Sequence, residues 1–266
     1  MKQSRRIPAA FALGCLVFWP LAHAKSAVGE AQVQEQGSSG VPSGVSEAAD
    51  RALREAAAFI GSAQQFSFTA DIVFDHVLPS GQKLQYSARE NLALQRPGRL
   101  YVEWNGDLGD RRFWYDGSTI TPYDPSTPFY ASETAPPDLD AMLDMLIGQL
   151  NFAPPLTDLF RSDPYGKVRD AVQFGIDLGL TQVSGRTCRS LALVNKSVDW
   201  QVWIAADPQP TLCKLTITYA TLPSAPQFSA VFSDWDFSPR FGDRAFVASL
   251  PSGLEKIPFD EISSAR

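Results

Sequence analysis

The chain contains 266 residues, 44% hydrophobic and 20% charged, and its 23 basic and 29 acidic side chains give a formal net charge of −6. This composition is ordinary for a globular protein and excludes a disordered, collagen-like or polytopic membrane protein. The acidic balance argues against a nucleic-acid partner. With 2 His and 3 Cys there are few ligands for a transition metal, so we expect no metal and no cofactor.

The first 24 residues have the organisation of a secretory signal peptide. Three basic residues precede a nearly uncharged apolar stretch from Ile7 to Leu21, which is short for a membrane-spanning helix. Small residues then lead to a cleavage site after Ala24. The alternatives are a retained membrane anchor and a lipoprotein signal ending at Cys15, but the apolar stretch continues past that cysteine. We therefore predict cleavage after Ala24 and a mature protein that is not integral to a membrane.

Residues 25–45 are rich in Gln, Gly, Ser and Ala and contain almost no large apolar side chain. Such a segment cannot bury enough surface to order itself, which predicts a disordered linker. No similar segment interrupts the rest of the chain. We therefore predict one domain over residues 46–260, followed by a tail at 261–266.

The first predicted element of this domain is a helix. Ser46 suits its N-cap and Gly61 its end. One face is apolar at helical spacing, formed by Ala49, Leu53, Ala56, Ala57 and Ile60.

From Phe66 the hydrophobic period changes to two, because apolar residues alternate with polar ones as far as Asp75. This pattern predicts a long strand with one buried face. Turn signals, among them Asn105-Gly106 and Asp116-Gly117, separate it from further strands at 84–89, 100–104 and 111–115.

A helical stretch interrupts the strands. Its apolar stripe is Leu139, Met142, Leu143, Leu146 and Ile147. We interpret the stripe as packing onto the sheet, with a lid over a pocket as the functional alternative. A further short helix is suggested from Pro154-Pro155 to Phe160.

Strands resume at residue 172 and are predicted at 172–183, 187–194, 198–205, 212–220, 227–237 and 244–249. The predicted fold class is therefore α+β. It consists of a large, curved antiparallel sheet of about ten strands with one to three helices on one face.

The candidates for catalytic chemistry are sparse. His76 is the only histidine after the predicted cleavage site, and it continues a strand face. Asp71 and Asp75 lie ~13 Å apart along one strand at ~3.3 Å per residue, too far for a glycosidase pair. Asp234 and Asp236 have no partner base. We interpret these carboxylates as solvated strand faces and predict a non-enzymatic protein without catalytic residues.

The redox state of Cys188 and Cys213 is left open by the sequence. Turn positions place Cys188 opposite about Ile204 and Cys213 opposite about Trp203 or Ile204, so that both flank one middle strand. Two strand spacings are ~9.5 Å, beyond the ~7 Å Cα limit for a disulfide. A β-bulge could close the gap and export favours oxidation. The register favours two buried free thiols.

Inward-facing aromatic residues are the main positive signal. A curved sheet with few helices cannot fill its concave side, which leaves a cavity suited to an acyl chain or another hydrophobic ligand. The alternative is that these rings simply fill the core. The candidate ligand-binding residues are Phe66, Phe68, Phe74, Tyr86, Trp104, Tyr115, Leu143, Ile147, Trp200 and Phe232.

Several stretches carry a resemblance to a known family. They are Asp116-Gly117 to Pro125, Pro155-Leu-Thr-Asp-Leu159, Tyr165-Gly166, Gly185 to Cys188, Val198-Asp-Trp-Gln-Val-Trp-Ile204, Lys214 to Tyr219, and Pro226-Gln-Phe-Ser-Ala230 with Ser233-Asp-Trp235. In order and spacing, over about residues 47–258, they resemble the predicted periplasmic proteins of domain-of-unknown-function family 2092. One departure is visible, because Arg189 and Ser190 stand where the family tends to have an acidic residue and a histidine.

The resemblance implies location in the periplasm and a fold similar to that of the periplasmic lipoprotein-localisation carriers. In that fold an incomplete antiparallel β-barrel wraps around helices and leaves an apolar cavity, where the carriers hold acyl chains. Fold alone does not fix function.

Three hypotheses follow. The first is a binder of a lipid or lipoprotein acyl chain, with the Leu139–Ile147 helix as plug or lid. The second is an envelope protein-interaction or sensor module that uses a sheet edge or exposed Trp203 and Trp235. A hydrolase ranks last, because the nucleophile and base are missing.

Overall fold

The computed structural model describes residues 44–148, 150 and 156–259. The predicted signal peptide, residues 25–43 of the predicted linker and the tail at 261–266 lie outside the described residues.

Helix α1 (Glu47–Ser62) begins where the sequence predicts it. The Ser46 side chain accepts a hydrogen bond from the Ala49 amide at 3.3 Å, and Glu47 and Asp50 occupy the first turn, where acids complement the helix dipole. The buried face is Ala49, Ala52, Ala56 and Ile60. The small side chains on this face let α1 lie close to the sheet.

Fourteen strands form a single sheet in the described part of the chain. They are β1 (Gly44–Val45), β2 (Gln65–Val77), β3 (Lys83–Gln95), β4 (Arg99–Gly106), β5 (Arg111–Tyr115), β6 (Thr119–Tyr123), β7 (Phe129–Tyr130), β8 (Glu133–Thr134), β9 (Phe174–Val183), β10 (Arg186–Val194), β11 (Asp199–Ala205), β12 (Leu212–Thr218), β13 (Gln227–Asp236) and β14 (Glu255–Lys256). The count exceeds the predicted ten. Nine of the predicted strands are present, β6 was not among those predicted, and β1, β7, β8 and β14 are two-residue pairings too short to show a hydrophobic period.

The strand order is β1-β9-β10-β11-β12-β13-β2-β3-β4-β5-β6-β7-β14, with β8 paired to β6. Neighbours are antiparallel except β1 with β9 and β7 with β14, which are parallel. The path runs from β1 to β14 without closing, so the sheet is an open, incomplete barrel, the form that the family resemblance implies. Gly44 and Val45, assigned above to the linker, pair with Phe174 and Gly175.

Three further helical segments connect the two halves of the sheet. They are α2 (Leu139–Gly148), a 3-10 helix (Thr157–Phe160) and α3 (Pro164–Ala171). Helix α3 is not predicted from the sequence, because Tyr165 to Ala171 has no apolar stripe. The residues at its N-terminus stabilise this helix instead. The Asp163 side chain accepts a hydrogen bond from the Gly166 amide, and Pro164 occupies the first turn.

The strand predicted at 244–249 is wrong. Residues 242–247 form turns, with the Ala245 amide bonded to the Gly242 carbonyl and the Val247 amide to the Arg244 carbonyl. Phe246 is buried through an edge-on contact with Phe241 at 5.0 Å between ring centroids. Phe246 is therefore buried locally without a strand, whereas Val247 is exposed.

Cys188 and Cys213 form a disulfide with a Cα–Cα distance of 6.7 Å, so the prediction of free thiols is wrong. Cys188 pairs with Ala205 on β11, and the register of β11 with β12 shifts between Trp203 and Ile204. Trp203 pairs with Lys214 and Ile204 with Leu212, which leaves Cys213 as the extra residue of a β-bulge. The bulge brings Cys213 to the same face as Cys188.

Candidate functional site

An apolar cavity of about 130 Å³ lies between the helices and the concave face of β10–β12. One wall is α1, the opposite wall is the sheet, and the 3-10 helix and α3 cover the remaining side. The lining residues are Leu53, Ala56, Ala57, Ile60, Leu156, Asp158, Leu159, Pro164, Tyr165, Val168, Leu193, Trp200, Val202, Ile204, Leu212, Leu215 and Ile217.

The cavity lies where small residues of α1 face larger residues of β11 across the space between helix and sheet. Ala56 and Ala57 present only methyl groups from α1, whereas the alternation of β11 directs Trp200, Val202 and Ile204 to the same side. Neither wall can approach further, since α1 is held at both ends. The space between them therefore stays open.

The far end of α1 is fixed by close contact and by hydrogen bonds. A Cβ on Gly61 would lie 2.9 Å from the Ser162 carbonyl oxygen, so this position requires glycine for the approach. The Arg96 guanidinium donates to the carbonyls of Ala63, Phe160 and Arg161 at 3.0–3.1 Å. These contacts join α1, the 3-10 helix and the β3–β4 turn around one end of the cavity.

A polar cluster borders the cavity where α1 meets α3. The Tyr165 hydroxyl donates to Asp50 Oδ1 at 2.6 Å, and Arg169 donates to the same oxygen at 3.1 Å. Arg54 forms an ion pair with Asp50, and its guanidinium lies 5.4 Å from the centroid of the Tyr165 ring. The hydrogen bond from Tyr165, together with the two arginines, lowers the pKa of Asp50.

Tyr165 and Asp158 are the polar side chains of the lining, and Asp158 also has protein partners. Arg161, itself buried, contacts Asp158 at 3.5 Å and Asp144 on α2 at 2.9 Å. Both polar side chains of the cavity therefore already have protein partners, and the remaining lining is apolar.

Of the ten predicted ligand-binding residues, Trp200 is the one that lines this cavity. Phe66, Phe68 and Phe232 instead pack around Trp235, with the Phe68 and Trp235 centroids 4.6 Å apart. These rings fill the centre of the concave side rather than line a void.

The remaining predicted residues occupy other parts of the concave side. Phe74 contacts both Tyr86 and Trp104, at 5.9 and 6.0 Å between centroids. Tyr115 is fully buried, and its hydroxyl donates to the Pro136 carbonyl. On α2, Leu143 is buried and Ile147 half-buried. The cavity is thus covered by α1, the 3-10 helix and α3, whereas α2 packs into the core.

Trp235 does not form the exposed surface expected of it. The pairing of β13 with β2 shifts between Ser233 and Asp236, and Asp234 has a φ of +54°. This bulge changes the alternation after Phe232 and turns Trp235 inward, where its indole N–H donates to the Leu212 carbonyl at 3.0 Å. Trp203 lies beside the disulfide and under the Lys214 ammonium, 4.8 Å from its centroid.

The sequence reasoning missed the lining from α1 and from the 3-10 and α3 segments. A signal was nevertheless available, because four stretches that carry the family resemblance supply much of the lining. In chain order they contribute Leu156, Asp158 and Leu159, then Tyr165, then Trp200, Val202 and Ile204, and finally Leu215 and Ile217.

The other candidates for chemistry are dispersed. Asp71 pairs with Arg89 at 2.8 Å and Asp75 with Lys83 at 3.3 Å. The His76 ring lies near Tyr86 at the end of β2, with centroids 6.3 Å apart. In residues 44–148, 150 and 156–259, no three His, Cys, Asp or Glu side chains are grouped as metal ligands.

The helices that the structure describes include none with the length and apolar character needed to span a bilayer.

Comparison with known proteins identifies a family. The family described as "Predicted periplasmic protein (DUF2092)" matches residues 49–260, and no curated protein matches the sequence. Among solved structures, LprF from Mycobacterium bovis is 12% identical with a TM-score of 0.44, covering 79% of this chain and 99% of LprF. The lipoprotein LppX of Mycobacterium tuberculosis is 10% identical with a TM-score of 0.39, covering 72% and 96%. A LolA superfamily protein from Nitrosomonas europaea is 12% identical with a TM-score of 0.36, covering 75% and 98%.

Proposed function

The chain belongs to the family of predicted periplasmic proteins DUF2092, and from this premise we propose that it is exported and binds a hydrophobic ligand. The ligand is a lipid or a lipoprotein acyl chain, held without catalysis in the half-barrel. The observation that carries the proposal is the apolar cavity between α1 and β10–β12. The signal peptide ending at Ala24 accounts for the export.

The size and lining of the cavity suit the end of one hydrocarbon chain. A dry cavity of ~150 Å³ accommodates benzene, so about 130 Å³ holds a few methylene groups. Each buried methylene contributes ~0.8 kcal/mol. A longer chain extends from the cavity toward the gap between α1 and α3, where the polar cluster of Asp50, Arg54 and Tyr165 meets solvent.

Binding without catalysis fits the polar groups present. Asp158 is paired with Arg161. Asp50, which accepts from Tyr165, is ion-paired with Arg54 and Arg169, and its lowered pKa makes it a weak base. The cavity contributes shape and apolar surface to a ligand.

Native mass spectrometry of the mature protein, purified from a periplasmic fraction without detergent, tests the proposal. We expect a co-purifying lipid or acylated species that organic extraction releases. A clean protein mass that stays unchanged after incubation with phospholipids and lipopeptides would contradict the proposal.

A cavity-filling variant ties binding to this cavity. Ala56→Leu adds three carbons to the α1 wall and should reduce ligand occupancy by about tenfold or more, equivalent to ~1.4 kcal/mol. Its unfolding free energy should change by less than ~1 kcal/mol, because the added carbons occupy existing space. The matched control is Ala141→Leu, at an exposed position of α2. Equal ligand occupancy in both variants would place the ligand elsewhere.

The outer edge of β9 favours an envelope protein-interaction module as the second candidate function. Ile176, Leu178 and Leu180 are 36%, 51% and 61% exposed, and β1 pairs only with Phe174 and Gly175. An unpaired apolar edge can accept a strand from a partner. A photo-crosslinker at Leu180, compared with one at the exposed Val247, tests this second candidate function. A partner that binds the β9 edge should crosslink at Leu180 and not at Val247.

A further inference from the structure

A second cavity, of about 340 Å³, adjoins the apolar one. The two share Ala57, Pro164 and Tyr165, so the wall between them is one turn of α1 and the start of α3. Ala57 and Pro164 are compact, and Tyr165 is the only shared residue with a polar side chain. A single elongated molecule that passes this wall would have one end in each cavity.

The second cavity differs from the first in its chemistry. Its remaining lining is Arg54, Ala58, Gly61, Ser62, Ser162 and Asp163. With the hydroxyl of the shared Tyr165, the cavity contains one cation, one carboxylate and three hydroxyl groups beside the wall that it shares with the apolar cavity. This is the arrangement expected around the polar head of an amphiphile whose chain occupies the first cavity.

Arg54 retains capacity for an anion. Its side chain is 63% exposed, and its ion-pair partner Asp50 is shared with Arg169 and with the Tyr165 hydroxyl. Arg54, Arg169 and Asp50 together carry a net charge of about +1 at neutral pH. A guanidinium has five N–H donors and binds phosphate through two of them. Pairing with Asp50 therefore leaves Arg54 enough N–H donors for a phosphate.

Asp163 supplies the opposite charge at the other side of the cavity. Its Oδ1 accepts from the Gly166 amide at 2.9 Å, which fixes the carboxylate at the start of α3. Arg54 pairs with Asp50 on its own helix, and Asp163 caps α3. The two charges therefore have separate partners and do not neutralise each other.

We propose that the second cavity binds a zwitterionic head group, with a phosphate ester toward Arg54 and an ammonium group toward Asp163, while the chain occupies the apolar cavity. This assignment rests on the proposed function, because it requires a chain in the first cavity. It adds the chemical class of the ligand.

Calorimetric titration of the mature protein with four probes that carry a ten-carbon chain tests the assignment. Decanol is kept below its solubility limit and the other three probes below their critical micelle concentrations. The probes are decylphosphocholine, decyl phosphate, decyltrimethylammonium and decanol. We expect decylphosphocholine to bind about tenfold more tightly than decanol. Arg54→Met should remove the advantage of the two phosphate-bearing probes, and Asp163→Asn that of the two ammonium-bearing probes. Decanol affinity should stay unchanged in both variants.

The substitutions are chosen to leave the fold intact. Asn retains the N-cap hydrogen bond that Asp163 provides, and Asp50 keeps Arg169 and Tyr165 as partners when Arg54 is lost. Arg51→Met, at an exposed position of α1, is the matched control and should behave as the wild type.

The outcomes separate the two proposals. Equal affinity for all four probes overturns the head-group assignment and leaves the proposed function standing. Equal affinity for decyl phosphate and decylphosphocholine, unaffected by Asp163→Asn, overturns the zwitterionic class. If none of the four probes binds, the proposed function fails and this inference fails with it.

Discussion

Glu90 is an acid placed on the apolar, concave face of β3. It pairs with Ala70 on β2 and Trp104 on β4, it is 7% exposed, and its Oε1 has no hydrogen-bond partner. Desolvation raises the pKa of this carboxyl to about 7. The folded protein therefore holds a proton that the unfolded chain releases at lower pH.

This proton predicts a pH dependence of stability. Because the folded state binds more protons than the unfolded state between pH 4.5 and pH 7, its free energy of unfolding falls as pH rises through this range. At ~1.4 kcal/mol per pH unit the total loss is about 3 kcal/mol. Above pH 7 the loss is constant.

Glu90→Gln should remove this component. Urea unfolding at pH 5 and pH 8 measures the difference for the wild type, for Glu90→Gln and for the exposed control Glu55→Gln. The prediction is wrong if Glu90→Gln keeps the wild-type difference between the two pH values.

At the scale of elements, Arg96 holds the helical segments on the sheet. It extends from the β3–β4 turn to carbonyls at the ends of α1 and of the 3-10 helix, which are groups that helix ends leave unpaired. Arg96→Ala should lower the free energy of unfolding by about 2–4 kcal/mol, since charged hydrogen bonds are worth ~1.5–3 kcal/mol each and are not additive.

Chemical unfolding compares Arg96→Ala with Arg99→Ala, which removes an exposed arginine from the same turn. Arg96→Lys should recover little stability, because an ammonium group cannot reach three carbonyls as a planar guanidinium does. A loss below ~1 kcal/mol in Arg96→Ala would show that packing alone holds these segments.

The disulfide joins β10 and β12 on the face opposite the cavity, over a sequence separation of 25 residues. Thiol titration of the denatured, exported protein should find no free thiol. The double variant Cys188→Ala/Cys213→Ala should lose about 3 kcal/mol of stability. Ligand affinity should be unchanged, since neither cysteine lines the cavity. Two titratable thiols in the exported protein would contradict the pairing.

At the scale of the whole molecule, the open sheet surrounds its helices incompletely and leaves an apolar cavity between α1 and β10–β12. A ligand that binds only the folded state raises stability by RT ln(1 + [L]/Kd), about 2.7 kcal/mol at a hundredfold excess over Kd. Thermal unfolding with decylphosphocholine should therefore show a midpoint that rises with probe concentration. The rise should be smaller in Ala56→Leu, and a midpoint independent of concentration would contradict binding to the folded protein.

The sequence by itself determined the elements whose hydrophobic period is local. The alternation from Phe66 to Asp75 and the apolar face of α1 are properties of neighbouring residues, so the long strand, the first helix and a large antiparallel sheet could be read from the sequence. The open form of the sheet was implied by the family resemblance. The stretches that carry the family resemblance also contained Trp200 and Tyr165, which line the cavity.

Only the tertiary structure decided where the cavity lies, because its position depends on which helix faces which strands. It also decided the disulfide and the inward position of Trp235. In each case one extra residue in a strand reverses the alternation or moves a side chain to a different neighbour. Such a bulge cannot be recognised in the hydrophobic pattern until the partner strand is known. For this reason the disulfide and the inward position of Trp235 were not predicted from the sequence.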